Sequence, residues 1–419
     1  MRSLTTLATL ATLAALGGCY RPSIANCQYA CDNNACPSGL TCSAGFCVAN
    51  VGDSCAPGLD ASGLDAAAPV DSLGPPGCAW GYAASNIDPC QFTGPVGDWI
   101  VTTGATFDTD SPGASGDYPP AQAIHVVLEG GDQSVVVVFV HQLQVQAPAM
   151  ITVTGSRPLL IYADDAASIA GAIDFSAASS TCPGAARSAK PGAPGTGDGG
   201  GGGGAGGSFG LISLFATVAG ARGGDGGDVG SDLGGKGGSA GNPEIDTALV
   251  PILPGCPGAA GGIGQGGVGG GGGLGGGALQ ISTRGALMVS GQIRASGAGG
   301  VGGIATSAGA GGGGSGGAIL LEGMTVTLAS GAFLCANGGG GGSSGAAARG
   351  ELGRCAGTTA KGAMSSGGPG GDGEATAFSA VVGGAGAADG GGGGGGGGGV
   401  GVIHVNGAAT LDGGSSPRP

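Results

Sequence analysis

GGALQISTRGALMVSGQIRASG, residues 276–297, decides the fold. Apolar residues alternate with small polar ones through Leu279, Ile281, Leu287, Val289 and Ile293, the two-residue period of a strand with one buried face. Gly291 divides two such strands, where a tight turn requires a backbone free of Cβ hindrance. The pattern recurs. SRPLLIYADDAASIAGAIDFSA starts at Ser156 and GGAILLEGMTVTLASGAFLCANG at Gly316. Leu159, Leu279 and Ile319 then correspond, as do Ile161, Ile281 and Leu321, and Gly171, Gly291 and Gly331, at spacings of 120 and then 40 residues. Gly401-Val402-Ile403-His404-Val405-Asn406 is a truncated fourth copy.

Short strands repeated without helical periodicity predict an all-β chain whose coils stack as a parallel β-helix-like solenoid with long glycine-rich insertions. WIVTT, AIHVVLE, SVVVVFVHQLQV and MITVTG, all between Trp99 and Gly155, read as strands of the first coils. A β-sandwich would show short hairpin turns at regular spacing, and the glycine tracts are too long for that.

Glycine supplies 106 of 419 residues, yet it does not recur strictly every third position, which excludes collagen. The run Gly390–Gly399 has no side chains to bury, and ordering each residue costs roughly 1–2 kcal/mol. Two outcomes are open: flexible loops, or extended polyproline-II-like chains that lie side by side and hydrogen-bond laterally.

Leu4 to Leu16 is apolar but shorter than the roughly 20 residues of a bilayer span, and it follows a lone Arg2. It ends in Leu16-Gly17-Gly18-Cys19, which resembles the bacterial lipobox. That resemblance implies a signal peptide over 1–18 and lipidation of Cys19. Of 13 cysteines, twelve then remain to pair, as suits an oxidising compartment. Cys27, Cys31, Cys36, Cys42, Cys47 and Cys55 make residues 19–55 a lipidated N-terminus with a small disulfide-rich module. Four residues separate Cys42 from Cys47, which departs from the EGF-like pattern, and no histidine is nearby to suggest zinc. Residues 56–77 are a flexible linker, and 78–419 form the glycine-rich domain. Cys78 is expected to pair with Cys90. Pairing Cys182 with Cys256 and Cys335 with Cys355 closes loops of about 74 and about 20 residues, worth roughly 4 and 3 kcal/mol.

The succession GGGGSGGAILLE, a strand pair, ANGGGGG and a last glycine run before VIHVN resembles glycine-rich, cysteine-containing lipoproteins of myxobacteria and related deltaproteobacteria, some labelled PE-PGRS-like. The resemblance covers roughly residues 95–410 and implies a cell-envelope location without implying an activity.

No catalytic constellation stands out. Asp164-Asp165 are adjacent, so in a strand they would point to opposite faces, and a turn suits them better. His125, His141 and His404 lie far apart without metal-ligand spacing. Gly223–Asp228 partly matches a calcium-binding nonapeptide, but it is not repeated in tandem, and an acidic solvated loop is the preferred reading. No cofactor is expected. A formal charge of −14 argues against nucleic acid as a partner. The expected partners are the membrane, through the lipid, and a surface polysaccharide or protein. The expected role is that of an outer-membrane, surface-exposed structural or adhesive lipoprotein that is not an enzyme. The alternative is a polysaccharide lyase or hydrolase with an unrecognised carboxylate site.

Overall fold

The computed structural model describes residues 41–43, 46–48, 80–182, 236–239 and 249–417, with short breaks at 93, 96, 113, 130–132, 265–266, 346, 356, 376–379 and 387–390. The chain divides into two units, Met1–Leu73 and Gly74–Pro419. In the first, β1 (Thr41–Ser43) and β2 (Phe46–Val48) pair antiparallel, with Cys42 opposite Cys47.

The second unit contains no α-helix among the described residues, only strands and two 3-10 turns, Pro89–Gln91 and Ala121–Ala123. Its early strands are β3 (Trp99–Val101), β4 (Ala105–Asp108), β5 (Ala114–Gly116) and β6 (Ile124–Glu129). Five passes of the chain follow. They are β7 (Gln133–Val140), β8 (Leu143–Val145) and β9 (Met150–Thr154); β10 (Leu159–Ala163), β11 (Ala167–Ile169) and β12 (Ala172–Asp174); β13 (Ala278–Val289) and β14 (Gln292–Arg294); β15 (Ala318–Leu328) and β16 (Phe333–Cys335); and β17 (Val402–Leu411) and β18 (Gly414–Ser416).

Two curled sheets result. One has nine strands and carries the first strands of every pass; the other has seven and carries the last. Each pass lies parallel to the one before it: β7, β10, β13, β15 and β17 follow in order, as do β9, β12, β14, β16 and β18. Among the described residues of this unit, β4–β5 and β6–β7 are the antiparallel strand pairs, beside two isolated antiparallel bridges, Ser179–Gly275 and Gly264–Gly267.

The register matches the repeat read from sequence. Leu159 pairs with Leu279, Leu279 with Ile319 and Ile319 with Ile403; Ile161, Ile281, Leu321 and Val405 form the next row. These rows face a core shared by both sheets, which also holds Trp99, Phe107, Ile151, Ile173, Ile293 and Leu334. Each large aliphatic side chain fully buried there contributes roughly 1.5–3 kcal/mol. One landmark departs from the repeat. Gln292 pairs with Phe333, so Gly291 stands beside Ala332 and not Gly331. The register shifts between Thr283 and Ala286, and the turn before β16 is longer than the one before β14. Gly331 instead takes that turn at φ +95°, a conformation open to glycine.

The glycine insertions between passes are built on backbone hydrogen bonds. Nine successive N–H groups, Gly309 to Gly317, donate in rotation to three neighbouring chains at 2.7–3.1 Å. Gly309, Gly312 and Ser315 donate to Gly262, Ala259 and Cys256; Ala310, Gly313 and Gly316 to Gly393, Gly396 and Gly399; Gly311, Gly314 and Gly317 to Val301, Ala298 and Ala295. A β-ladder returns to the same neighbour every second residue. Here the return comes every third, the period of a polyproline-II chain. Gly338 to Ser344 repeat the scheme, donating in turn to Glu374, Gly314, Glu351, Gly371, Gly311, Ala348 and Gly368. Close approach makes glycine obligatory: a Cβ on Gly395 would lie 1.8 Å from the Gly311 carbonyl oxygen.

Of the two outcomes open for the glycine tracts, the described ones form a laterally bonded bundle. The expected pairs Cys182–Cys256 and Cys335–Cys355 are present as disulfides, separated by 74 and 20 residues, and tie the insertions to their passes.

Amide hydrogen exchange should find Gly309–Gly317, and Gly392, Gly394, Gly395, Gly397 and Gly398, protected to the level of the strand core. Gly395→Ala should cost at least about 2 kcal/mol in denaturant unfolding, because neighbouring backbone cannot yield as a side chain can.

Candidate functional site

Strand alternation that sends Ile161, Ile281 and Leu321 to the core turns the residues between them outward. Tyr162, Ser282, Glu322 and Asn406 form one row across β10, β13, β15 and β17, and Leu160, Gln280, Leu320 and His404 the row beside it. The outward face is not left to solvent. Ile87 and Phe92 from the segment 80–92, with Leu249, Ile252 and Leu253, cover it with a second apolar cluster.

Glu322 is the polar centre of this cover and is 1% exposed. Its Oε1 accepts from Ser85 Oγ at 2.6 Å and Asn406 Nδ2 at 3.0 Å; its Oε2 accepts from Ser282 Oγ at 2.7 Å, Gln280 Nε2 at 2.9 Å and the Ser85 N–H at 3.1 Å. Among the described residues no cation pairs with it. Asn86, held at φ 65°, donates to Gln280 Oε1 at 2.7 Å and accepts from the Ile252 N–H at 2.9 Å. Tyr162 donates to the Ile87 carbonyl at 2.8 Å and Tyr82 to that of Thr283 at 2.9 Å. Burial, and then the nearby Glu322 charge, hold the Tyr82 hydroxyl well above its usual range. A pocket of about 370 Å³ opens beside this network, lined by Gly81, Tyr82, Glu322, Met324 and Asn406 among others.

Chemically the pocket offers little. It has one carboxylate, and the acceptor sites of that carboxylate are filled by the protein's own donors. Glycoside hydrolysis in its usual form uses two carboxyl groups, roughly 5–9.5 Å apart. A tyrosine whose hydroxyl is pushed up is a poor base at neutral pH. The arrangement is suited to docking residues 80–92 onto the sheet.

The residues singled out in the sequence do not converge. Asp164 and Asp165 occupy the turn after β10, where Asp164 pairs with Arg284 at 3.3 Å and Asp165 accepts from Gln142 at 2.6 Å. His125 stacks on Phe92 on β6, His141 meets Asp98 at 3.0 Å just beyond β7, and His404 meets Asn406 at 2.8 Å on β17. Cys90 is disulfide-bonded, and its expected partner Cys78 lies outside the described residues. So do Cys19, Cys27, Cys31, Cys36, Cys55, the linker 56–77 and the Gly223–Asp228 segment. Among the described residues no group of three or more His, Cys, Asp or Glu could hold a metal, and no helix is long and apolar enough to cross a membrane.

Sequence reasoning passed over Glu322. The available signal was a single charge inside the apolar run AILLEGMTVTL, two residues after Leu320 on the outward face. Nothing in Tyr82–Ile87 announces its partner.

A second buried carboxyl lies in the glycine bundle. Glu374 is 1% exposed, and its Oε2 accepts from the Val400 N–H at 3.2 Å. Burial outweighs that bond and pushes the carboxyl up to about 8.

Glu322→Ala strands several buried donors and should cost about 2–4 kcal/mol, with loosening of residues 80–92 visible as a change in Trp80 fluorescence. Glu374 binds its proton more tightly folded than unfolded, where it titrates near 4.5. Its contribution to stability should therefore be full below about pH 4.5, fall by up to about 1.4 kcal/mol per unit as pH rises from there to 8, and level off above. Glu374→Gln should flatten that slope in urea titrations run at a series of pH values.

No family model, curated protein or solved structure matches the chain.

Proposed function

We propose that the chain is a lipid-anchored protein of the bacterial cell envelope, outer-membrane and surface-exposed, with a structural or adhesive role and no catalytic activity. In this reading the second unit is a parallel β-helix-like solenoid. The in-order parallel pairing of β7, β10, β13, β15 and β17 supports it, as does the core they share with the second sheet.

The observation that carries the proposal is the unbroken donor series Gly309–Gly317. A segment whose every N–H is bonded to neighbouring backbone is stiff, and its one polar side chain, Ser315, is buried with its hydroxyl bonded to the Cys256 backbone. Such a bundle is useful as a body that holds shape and presents a surface. The lipobox-like Leu16-Gly17-Gly18-Cys19, the twelve remaining cysteines and the linker at 56–77 support export and attachment through Cys19. The formal charge of −14 favours a polysaccharide or protein contact over nucleic acid.

The N-terminal peptide of the mature protein should carry acyl chains on Cys19 by mass spectrometry. Protease added to intact cells should release fragments of 78–419, and purified protein should bind a glycan or protein array without altering its ligands. An unmodified Cys19, or fragments released only after the outer membrane is opened, would overturn the surface reading. Cleavage of a polysaccharide, abolished by Glu322→Gln, would replace it with the enzyme.

A further inference from the structure

The nine-stranded sheet ends at β17, whose only strand neighbour among the described residues is β15. The Val402 N–H donates to the Gly317 carbonyl at 3.0 Å, so Val402, His404 and Asn406 turn their backbone groups toward β15. Ile403 and Val405 then direct N–H and C=O to the open side. Proteins usually blunt such an edge with lysine, proline or an inward charge. The ten residues VIHVNGAATL contain none of these.

The core is open at the same place. Leu321, Val326 and Leu328 on β15 are at most 1% exposed. Their partners on β17 are Val405, Ala409 and Leu411; Val405 is half-buried, Ala409 is exposed and Leu411 is 45% exposed. At the other end of the sheet the chain folds back on itself, with β6 antiparallel on β7.

We propose that this edge pairs with the same edge of a second copy, β17 against β17, antiparallel about a twofold axis. Charge selects the occupant. A chain of net charge −14 repels its copies over most of its surface, but β17 brings no Asp, Glu, Lys or Arg to the contact. The exposed Asp412 follows β17, and antiparallel pairing sets its two copies a strand length apart, roughly 30 Å. A twofold contact is self-complementary: each copy supplies the same open donors and acceptors, and each covers the other's Val405, Ala409 and Leu411.

Sedimentation of the full chain in detergent tests this. The expected result is a dimer, with slow amide exchange at Ile403 and Val405. Ala409→Glu places two like charges in the contact at a position exposed in the single chain. It should weaken dimerisation at least tenfold while Gly309–Gly317 stay protected, which shows the variant is folded. A monomeric wild type at tens of micromolar, a dimer indifferent to Ala409→Glu, or open-ended polymers, which signal a head-to-tail contact, would each overturn the twofold pairing.

Discussion

The glycine-rich insertions of the second unit depend on a backbone hydrogen bond repeated every third residue between neighbouring chains. A glycine chain has nothing to bury except its own backbone, and each ordered residue costs entropy. The balance is met only when almost every N–H finds a carbonyl and the chains approach within van der Waals contact. Gly309–Gly317 meet both conditions by donating to three neighbours in rotation. Because a Cβ on Gly395 would enter the Gly311 carbonyl, the bundle tolerates no side chain at such contacts. Composition that reads as disorder in isolation becomes order through this geometry.

The parallel passes make the bundle feasible. An isolated glycine hairpin would have neighbours on one side only. The passes β13, β15 and β17 lie parallel and in register, so their insertions leave the sheets side by side and can supply the remaining neighbours. Disulfides Cys182–Cys256 and Cys335–Cys355 tie insertion to pass, reducing the loop entropy that long glycine segments would otherwise keep. Glu374 is 1% exposed in this interior, and burial pushes its carboxyl up to about 8.

The outward face of the nine-stranded sheet follows a different logic. Parallel sheets are covered on both sides, and here one cover is a segment with little regular structure, residues 80–92. Tyr82, Ser85 and Asn86 hold it through Glu322, Gln280 and Thr283. A carboxylate so fully engaged with hydroxyls, amides and an N–H fastens one part of the chain to another, and it leaves the adjoining pocket without a free catalytic group.

The sequence by itself determined the strand period and the matching of Leu159, Leu279 and Ile319, because side-chain alternation is local and register follows the apolar rows. It made Cys182–Cys256 and Cys335–Cys355 the expected pairs, as local couples on either side of a glycine-rich stretch, and both are present. Tertiary structure alone decided the shift that sets Ala332, not Gly331, beside Gly291, since bulge and turn length are settled by neighbouring strands. It alone chose bundle over loop for Gly309–Gly317: glycine carries no side-chain pattern, and its partners at 256–262, 295–301 and 393–399 are known only once the passes stack. For the same reason Glu322 was legible as an odd charge in a strand, while Ser85, Gln280 and Asn406, distant in sequence, became its partners only in the folded chain.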